Sequence, residues 1–172
     1  MVVSELLAHH LRRRRRRYHY HRQRTTTATT ATTTTHANHG FKDELERGAL
    51  AAAAEMELEL AVERRKARDA TIDDVLGADG YLFCAPENLA SVSGEMKEFF
   101  DRHYYHAFAS SEGRGGDHEE VSRLLGRPYG LAIAAGSDGT GAAKQVERIC
   151  LGWRLRPVAE TIVHRCVGPG RG

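Results

Sequence analysis

The chain has 172 residues, a formal charge of +2, 41% hydrophobic and 28% charged residues, the balance of a soluble globular protein with one domain and a sizeable core. No apolar run approaches the length of a membrane span. The three cysteines, Cys84, Cys150 and Cys166, are odd in number and lack CxxC spacing, so they resemble reduced thiols of a cytoplasmic protein rather than a disulfide framework or a zinc site.

The charge is unevenly placed. Residues 1–40 carry eight arginines against one acid, Glu5, so the rest of the chain is net acidic. An acidic body argues against a nucleic-acid binder. Residues 1–11 have the pattern of a brief helix, and six arginines follow, Arg12 to Arg17. Residues 25–35 are almost entirely threonine and alanine, a low-complexity stretch with little to bury. Residues 1–35 therefore read as a basic, Thr-rich extension, and 36–166 as the folded domain, with a tail over 167–172. An Arg- and Thr-rich, acid-poor start also has the composition of an organelle transit peptide, the alternative to a cytoplasmic location.

From about Ala37 to Glu55 the spacing of Phe41, Leu45, Ala49 and Ala52 predicts an amphipathic helix. Glu57 to Glu63 alternates polar and apolar, which suits a half-buried strand, and Arg64 to Arg68 reads as a basic connector. Thr71 followed by Asp74 three residues on predicts a capped short helix. Tyr81 to Ala85 is a continuous apolar run, as in a strand buried on both faces of a parallel sheet. Pro86 is expected to stop it, having no N–H for the ladder. Ser93 then stands as the N-cap of a helix whose Met96, Phe99 and Phe100 share one face.

Ser110 to Asp117 reads as a surface loop, and Glu119 to Leu125 as one or two helical turns. Tyr129 to Ala135 is a second buried-type strand, followed by Gly136-Ser137-Asp138-Gly139-Thr140-Gly141 and a helix with Ala142, Val146, Ile149 and Cys150 on one face. Val158 to His164 is the last strand. Helices and strands in alternation predict an α/β, three-layer fold with a parallel sheet.

Two strand-to-helix loops, 86–94 and 136–141, open at the carboxyl edge of that sheet, where ligands bind in open α/β folds. They offer glycine backbone, small hydroxyls and helix N-termini, which suit a flat ligand with polar edges. Neither Ser93 nor Ser137 has a histidine and an acid arranged for nucleophilic work. The second loop lacks the lysine of a nucleotide P-loop. His103 and His106, and His36 and His39, are spaced three apart, but no carboxylate or cysteine pattern joins them into a metal site.

Ala85-Pro86-Glu87-Asn88, with Ser93-Gly94-Glu95-Met96-Lys97-Glu98-Phe99-Phe100-Asp101-Arg102, resembles the flavin-loop signature of the flavodoxin-like, NAD(P)H-dependent FMN reductase family. Asp69-Ala70-Thr71 and Ala134-Ala135-Gly136-Ser137-Asp138-Gly139-Thr140-Gly141 are similar to the same family. The resemblance implies a flavodoxin-like sandwich with sheet order 2-1-3-4-5 and FMN at the switch point. The first strand would be degraded, its place held by Arg17-Tyr18-His19-Tyr20-His21-Arg22. Leu89 and Ala90 stand where an aromatic and a glycine are usual.

By that resemblance Pro86, Glu87, Asn88, Leu89, Ser93 and Gly94 would border the flavin ring. Gly136, Ser137, Asp138 and Gly139 would lie over its other side, and Thr34, Thr35 and His36 would meet the phosphate. The implied function is an FMN-dependent oxidoreductase passing electrons from NAD(P)H to a small-molecule acceptor such as a quinone, in a possible homodimer. The alternative is a non-enzymatic flavodoxin-like protein acting through its basic N-terminal segment on an acidic partner.

Overall fold

The computed structural model describes residues 9–11, 26–32, 39–110 and 120–165. The order is β1 (Thr26–Thr32), α1 (His39–Glu55), β2 (Leu60–Lys66), α2 (Ile72–Gly77), β3 (Gly80–Asn88), β4 (Ser91–Val92) and α3 (Gly94–His103). After these come β5 (Phe108–Ser110), β6 (Glu120–Ser122), β7 (Pro128–Ala135), α4 (Thr140–Gly152), β8 (Arg156–Pro157) and β9 (Ile162–Arg165). The main sheet runs β2-β1-β3-β7-β8, with β9 also on β7, and all of these pairs are parallel. The chain thus steps outward from the centre in the expected 2-1-3-4-5 sense. The strand order reverses between β1 and β3.

β3 shows why its sequence is apolar throughout. Tyr81, Phe83 and Ala85 pack into one core with Met96, Phe99 and Phe100 of α3 and Ala142, Val146 and Cys150 of α4. Leu82 and Cys84 alternate with them and pack on the other face, with Leu45, Ala49, Ala52 and Ala53 of α1. Helices therefore cover both faces, giving three layers. The α3 side is held by an aromatic cluster: Phe83 and Phe100 meet edge-on at 5.3 Å, and Phe100 and Trp153 at 5.2 Å. Each such fully buried ring contributes about 1.5–3 kcal/mol.

α2 begins as expected. The Thr71 hydroxyl accepts from Asp74 N–H, and the Asp74 carboxylate accepts from Thr71 N–H, a complete capping box. Desolvation alone would raise the Asp74 carboxyl, but hydrogen bonds from Thr71 and Arg65 outweigh it and hold the group below the usual range. Arg102 of α3 donates to the carbonyls of Ala70 (2.8 Å) and Ala67 (3.0 Å), fixing α3 to the β2–α2 connection. Arg127 reaches the carbonyls of Val75, Leu76 and Ala78 at the end of α2, where the helix dipole favours a cation.

Several expectations are corrected. The central first strand is not Arg17–Arg22 but Thr26–Thr32, paired with both β2 and β3; residues 17–22 lie outside the described residues. The sheet therefore begins ahead of residue 36. Leu11, assigned to the extension, is 2% exposed and packs in the α1-side core. Threonine is β-branched and suits a strand between two neighbours, a preference hidden by the low complexity of the stretch.

β2 starts at Leu60 rather than Glu57, because Glu57 takes a left-handed φ of 52° in the turn after α1. It then runs on through the basic stretch, since β2 is an edge strand on which arginines find acids: Arg64 pairs with Asp43 and Glu46, Arg65 with Glu63 and Asp74. Glu120–Ser122 is a strand paired with β5, not a helical turn.

Pro86 does not end β3. The strand continues to Asn88 as one arm of a hairpin with β4, and the Pro86 carbonyl accepts from Ser93 N–H at 3.1 Å. The bond missing there is the one a proline cannot donate.

Candidate functional site at the carboxyl edge of the sheet

The ends of β3 and β7 lie side by side, with Pro86 in register with Ala134. Glu87 Oε2 accepts from the backbone N–H of Ser137 at 3.2 Å and from its hydroxyl at 2.7 Å. Glu87 Oε1 is buried without a hydrogen-bond partner. The carboxylate is thus held by one oxygen only.

The β3–β4 connection is two residues long, Leu89 and Ala90, with φ of 49° and 60°. Positive φ at both central positions is the geometry of a type I′ turn, usually built from Asn-Gly. Non-glycine residues in that region cost about 1–2 kcal/mol each. Leu89 gains nothing from burial in exchange, being 101% exposed.

The hairpin is seated on α4. A Cβ on Gly141 would strike the carbonyl oxygen of Ala90, so only glycine permits this approach. Gln145 Oε1 accepts from Val92 N–H at 3.0 Å. Gly139, with φ +69°, turns the chain into α4, and a Cβ there would lie 2.6 Å from Val163 Cγ1. Asp138 Oδ1 accepts from Thr140 N–H at 2.9 Å, closing the first turn of the helix.

Pro86 and Ser93 are buried, Glu87 half-buried, and Asn88, Leu89 and Gly94 exposed; of the second loop Gly136, Ser137 and Asp138 are exposed and Gly139 is buried. The structure joins the two loops through Glu87 and Ser137 and stacks their continuation through Ala90 and Gly141. Ser93 stands at the N-cap position of α3, but its side chain makes no cap bond. Thr34, Thr35 and His36 lie outside the described residues. Gln145 escaped the sequence reading; it carries no motif signal, because its role depends on the hairpin reaching back to α4. Gly141 reads as part of the second loop in the sequence, and its role as the seat of the hairpin appears only in the structure.

Gly136 is open, with nothing within 4 Å of where its Cβ would be. Residues 88–91 and 136–138 are exposed on the two loops. No lysine or arginine stands in either loop. A concavity of about 500 Å³ is lined by Tyr129, Glu147, Leu151, Leu155, Pro157 and Thr161. It lies toward the amino end of β7, away from the paired loops. Among the described residues no cluster of three or more metal-ligating side chains occurs, and no helix is long and apolar enough to cross a membrane.

A doubly wound parallel sheet with helices on both faces and paired loops beside its switch point defines an α/β protein of open-sheet type. The family model for the flavodoxin-like fold matches residues 8–152, and the chain belongs to that family. Among solved structures it is similar to an oxidoreductase from Corynebacterium diphtheriae, at 16% identity and a TM-score of 0.62 over 81% of each chain. It is also similar to a flavodoxin variant from Pseudomonas aeruginosa, at 12% identity and a TM-score of 0.54 over 80% of this chain and 83% of that one. A third likeness is to an NADH:FMN oxidoreductase in its apo form, at 14% identity and a TM-score of 0.57 over 81% and 75%. At these identities the likeness is one of fold. No curated protein matches the chain.

Proposed function

We propose that the chain is an FMN-binding oxidoreductase that passes electrons from NAD(P)H to a small-molecule acceptor such as a quinone. The observation that carries this reading is the joining of the two loops at the carboxyl edge, Glu87 to Ser137, beside the strand-order reversal of a flavodoxin-like sheet. When bound, the flavin supplies the hydride and electron chemistry, and the protein supplies binding and orientation.

In this reading the backbone of residues 88–91 and 136–138 meets the polar edge and one face of the ring. Pro86 gives the cleft an apolar floor. Thr34, Thr35 and His36, leading into the N-terminus of α1, meet the phosphate through hydroxyls and helix N–H groups. The proposal is tested by incubating the full chain with FMN, desalting it and recording the absorbance spectrum. Retained near-ultraviolet and blue flavin bands are expected. A folded but colourless protein would overturn the reading in favour of a flavodoxin-like protein without redox activity.

A further inference from the structure

One edge of the sheet has a gap in its ladder. β8 pairs with Pro128 and Tyr129 at the start of β7, and β9 pairs with Ala132 to Ala135 further along. Between them Val158 to Thr161 leave the ladder, and together with the end of α4 they border the concavity of about 500 Å³. That volume is in the range that holds a small organic molecule. Leu151, Leu155, Pro157 and Val158 give it apolar walls.

Two polar groups on the same walls have bonding capacity left unused. Tyr129 is 4% exposed, with its ring centroid 6.1 Å from that of Phe83, and its hydroxyl makes no hydrogen bond among the described residues. Burial, then neighbouring Cys150 and Glu147, push that hydroxyl up, so it stays protonated at neutral pH. Glu147 Oε1 accepts from the Thr161 hydroxyl, but the carboxylate is in no ion pair among the described residues. A hydroxyl withdrawn from water without a partner is costly, and a ligand that supplies the missing bond recovers the cost. Charge narrows the choice of ligand. Glu147 and Glu160 both line the concavity and no lysine or arginine does, so an anion is repelled and a cation attracted.

We propose that this concavity is a second ligand site, which takes a protonated primary amine carrying an apolar, ring-sized body. The ammonium group donates to the Glu147 carboxylate and to the Tyr129 hydroxyl, and the body lies against Leu151, Leu155 and Val158. The site stands toward the amino end of β7 and the paired loops at its carboxyl end. It does not rest on the flavin reading.

The test titrates the isotope-labelled full chain, without flavin and at neutral pH, with phenethylamine and with its uncharged isostere phenethyl alcohol, following amide shifts by NMR. Phenethylamine is expected to shift the amides of residues 158–161. It should bind about tenfold more tightly than the alcohol, the scale of a hydrogen bond to a charged group. Glu147→Gln keeps an oxygen for Thr161 and removes the charge; it should weaken the amine about tenfold and leave the alcohol as it was. Tyr129→Phe removes only the hydroxyl and should weaken the amine about threefold. Shifts absent from residues 158–161, equal affinities for amine and alcohol, or an undiminished amine affinity in Glu147→Gln would each overturn the proposal. If the Glu147 variant does not fold, Tyr129→Phe decides, and an undiminished amine affinity there overturns the proposal in the same way.

Discussion

The carboxylate of Glu87, at the end of β3, takes both the backbone N–H and the hydroxyl of Ser137, 50 residues further along the chain. One side chain thereby sets the separation of the two loops that flank the cleft. Glu87→Ala is expected to cost about 1–2 kcal/mol of stability, the scale of hydrogen bonds to a charged group. FMN affinity should fall more sharply than that of Ser137→Ala, which keeps the backbone N–H for the carboxylate. Urea denaturation and FMN titration of the two variants check this; equal FMN affinities would show that the link does not position the loops.

Glycines 126 and 141 make a contrast. A side chain is costly at each, but for different reasons. Gly126 has φ +70° in open space, whereas a methyl on Gly141 meets the Ala90 carbonyl. Gly126→Ala is expected to cost about 1 kcal/mol of backbone strain and to leave the cleft untouched. Gly141→Ala should cost about 1–3 kcal/mol through overpacking and also weaken FMN binding, because the hairpin must lift from α4. Denaturation midpoints and FMN titration separate the two effects.

The capping box of α2 gives a pH signature. The folded Asp74 carboxyl titrates below its usual range, so its contribution is complete above the unfolded carboxyl value and is lost as pH falls through the folded one. Thr71→Ala removes the cap and its hydroxyl donor. It is expected to cost about 1 kcal/mol at neutral pH, and less in acid, once pH has fallen through the lowered titration of the carboxyl it partners. Denaturation midpoints followed from pH 7 down into acid measure the difference.

His103 titrates the other way round. It is 2% exposed, and Nδ1 lies 2.8 Å from the carbonyl of Phe99, so the proton sits on Nδ1. Desolvation lowers its value below the ordinary 6.5; the Phe99 carbonyl and Glu98 oppose this, and Arg102 and His106 add to it. Below pH 6.5 the unfolded chain binds a proton that the folded chain refuses, so stability should drop as pH falls from 7.5 to 5.5. His103→Phe should flatten that slope in thermal melts. An unchanged slope would place the proton uptake elsewhere.

The elements most legible in the sequence are those whose reason is local or strongly apolar. Thr71 and Asp74 spell out a cap within four residues, and Tyr81 to Ala85 announces burial on both faces. β1 was illegible because its stability comes from two neighbouring strands, not from an apolar pattern. The extension of β3 past Pro86 was hidden for a related reason: the proline stands where the ladder needs only its carbonyl. Leu89 and Ala90 gave no turn signal at all. Their geometry is imposed by β4 and by the seat on α4. The loops around the cleft were found as segments, but the Glu87–Ser137 link that joins them depends on β3 and β7 being neighbours.

The threonine-rich stretch has a consequence that reaches beyond stability. Thr26–Thr32 forms the central strand, and the same run continues into residues 33–35 at the start of the connection to α1. With so uniform a sequence, a strand that slides by two residues presents nearly the same chemistry to β2 and β3. A threonine codon gained or lost within the run need not break the sheet. Any such change in length would fall on the connection between β1 and α1 rather than on the pairing of the central strand.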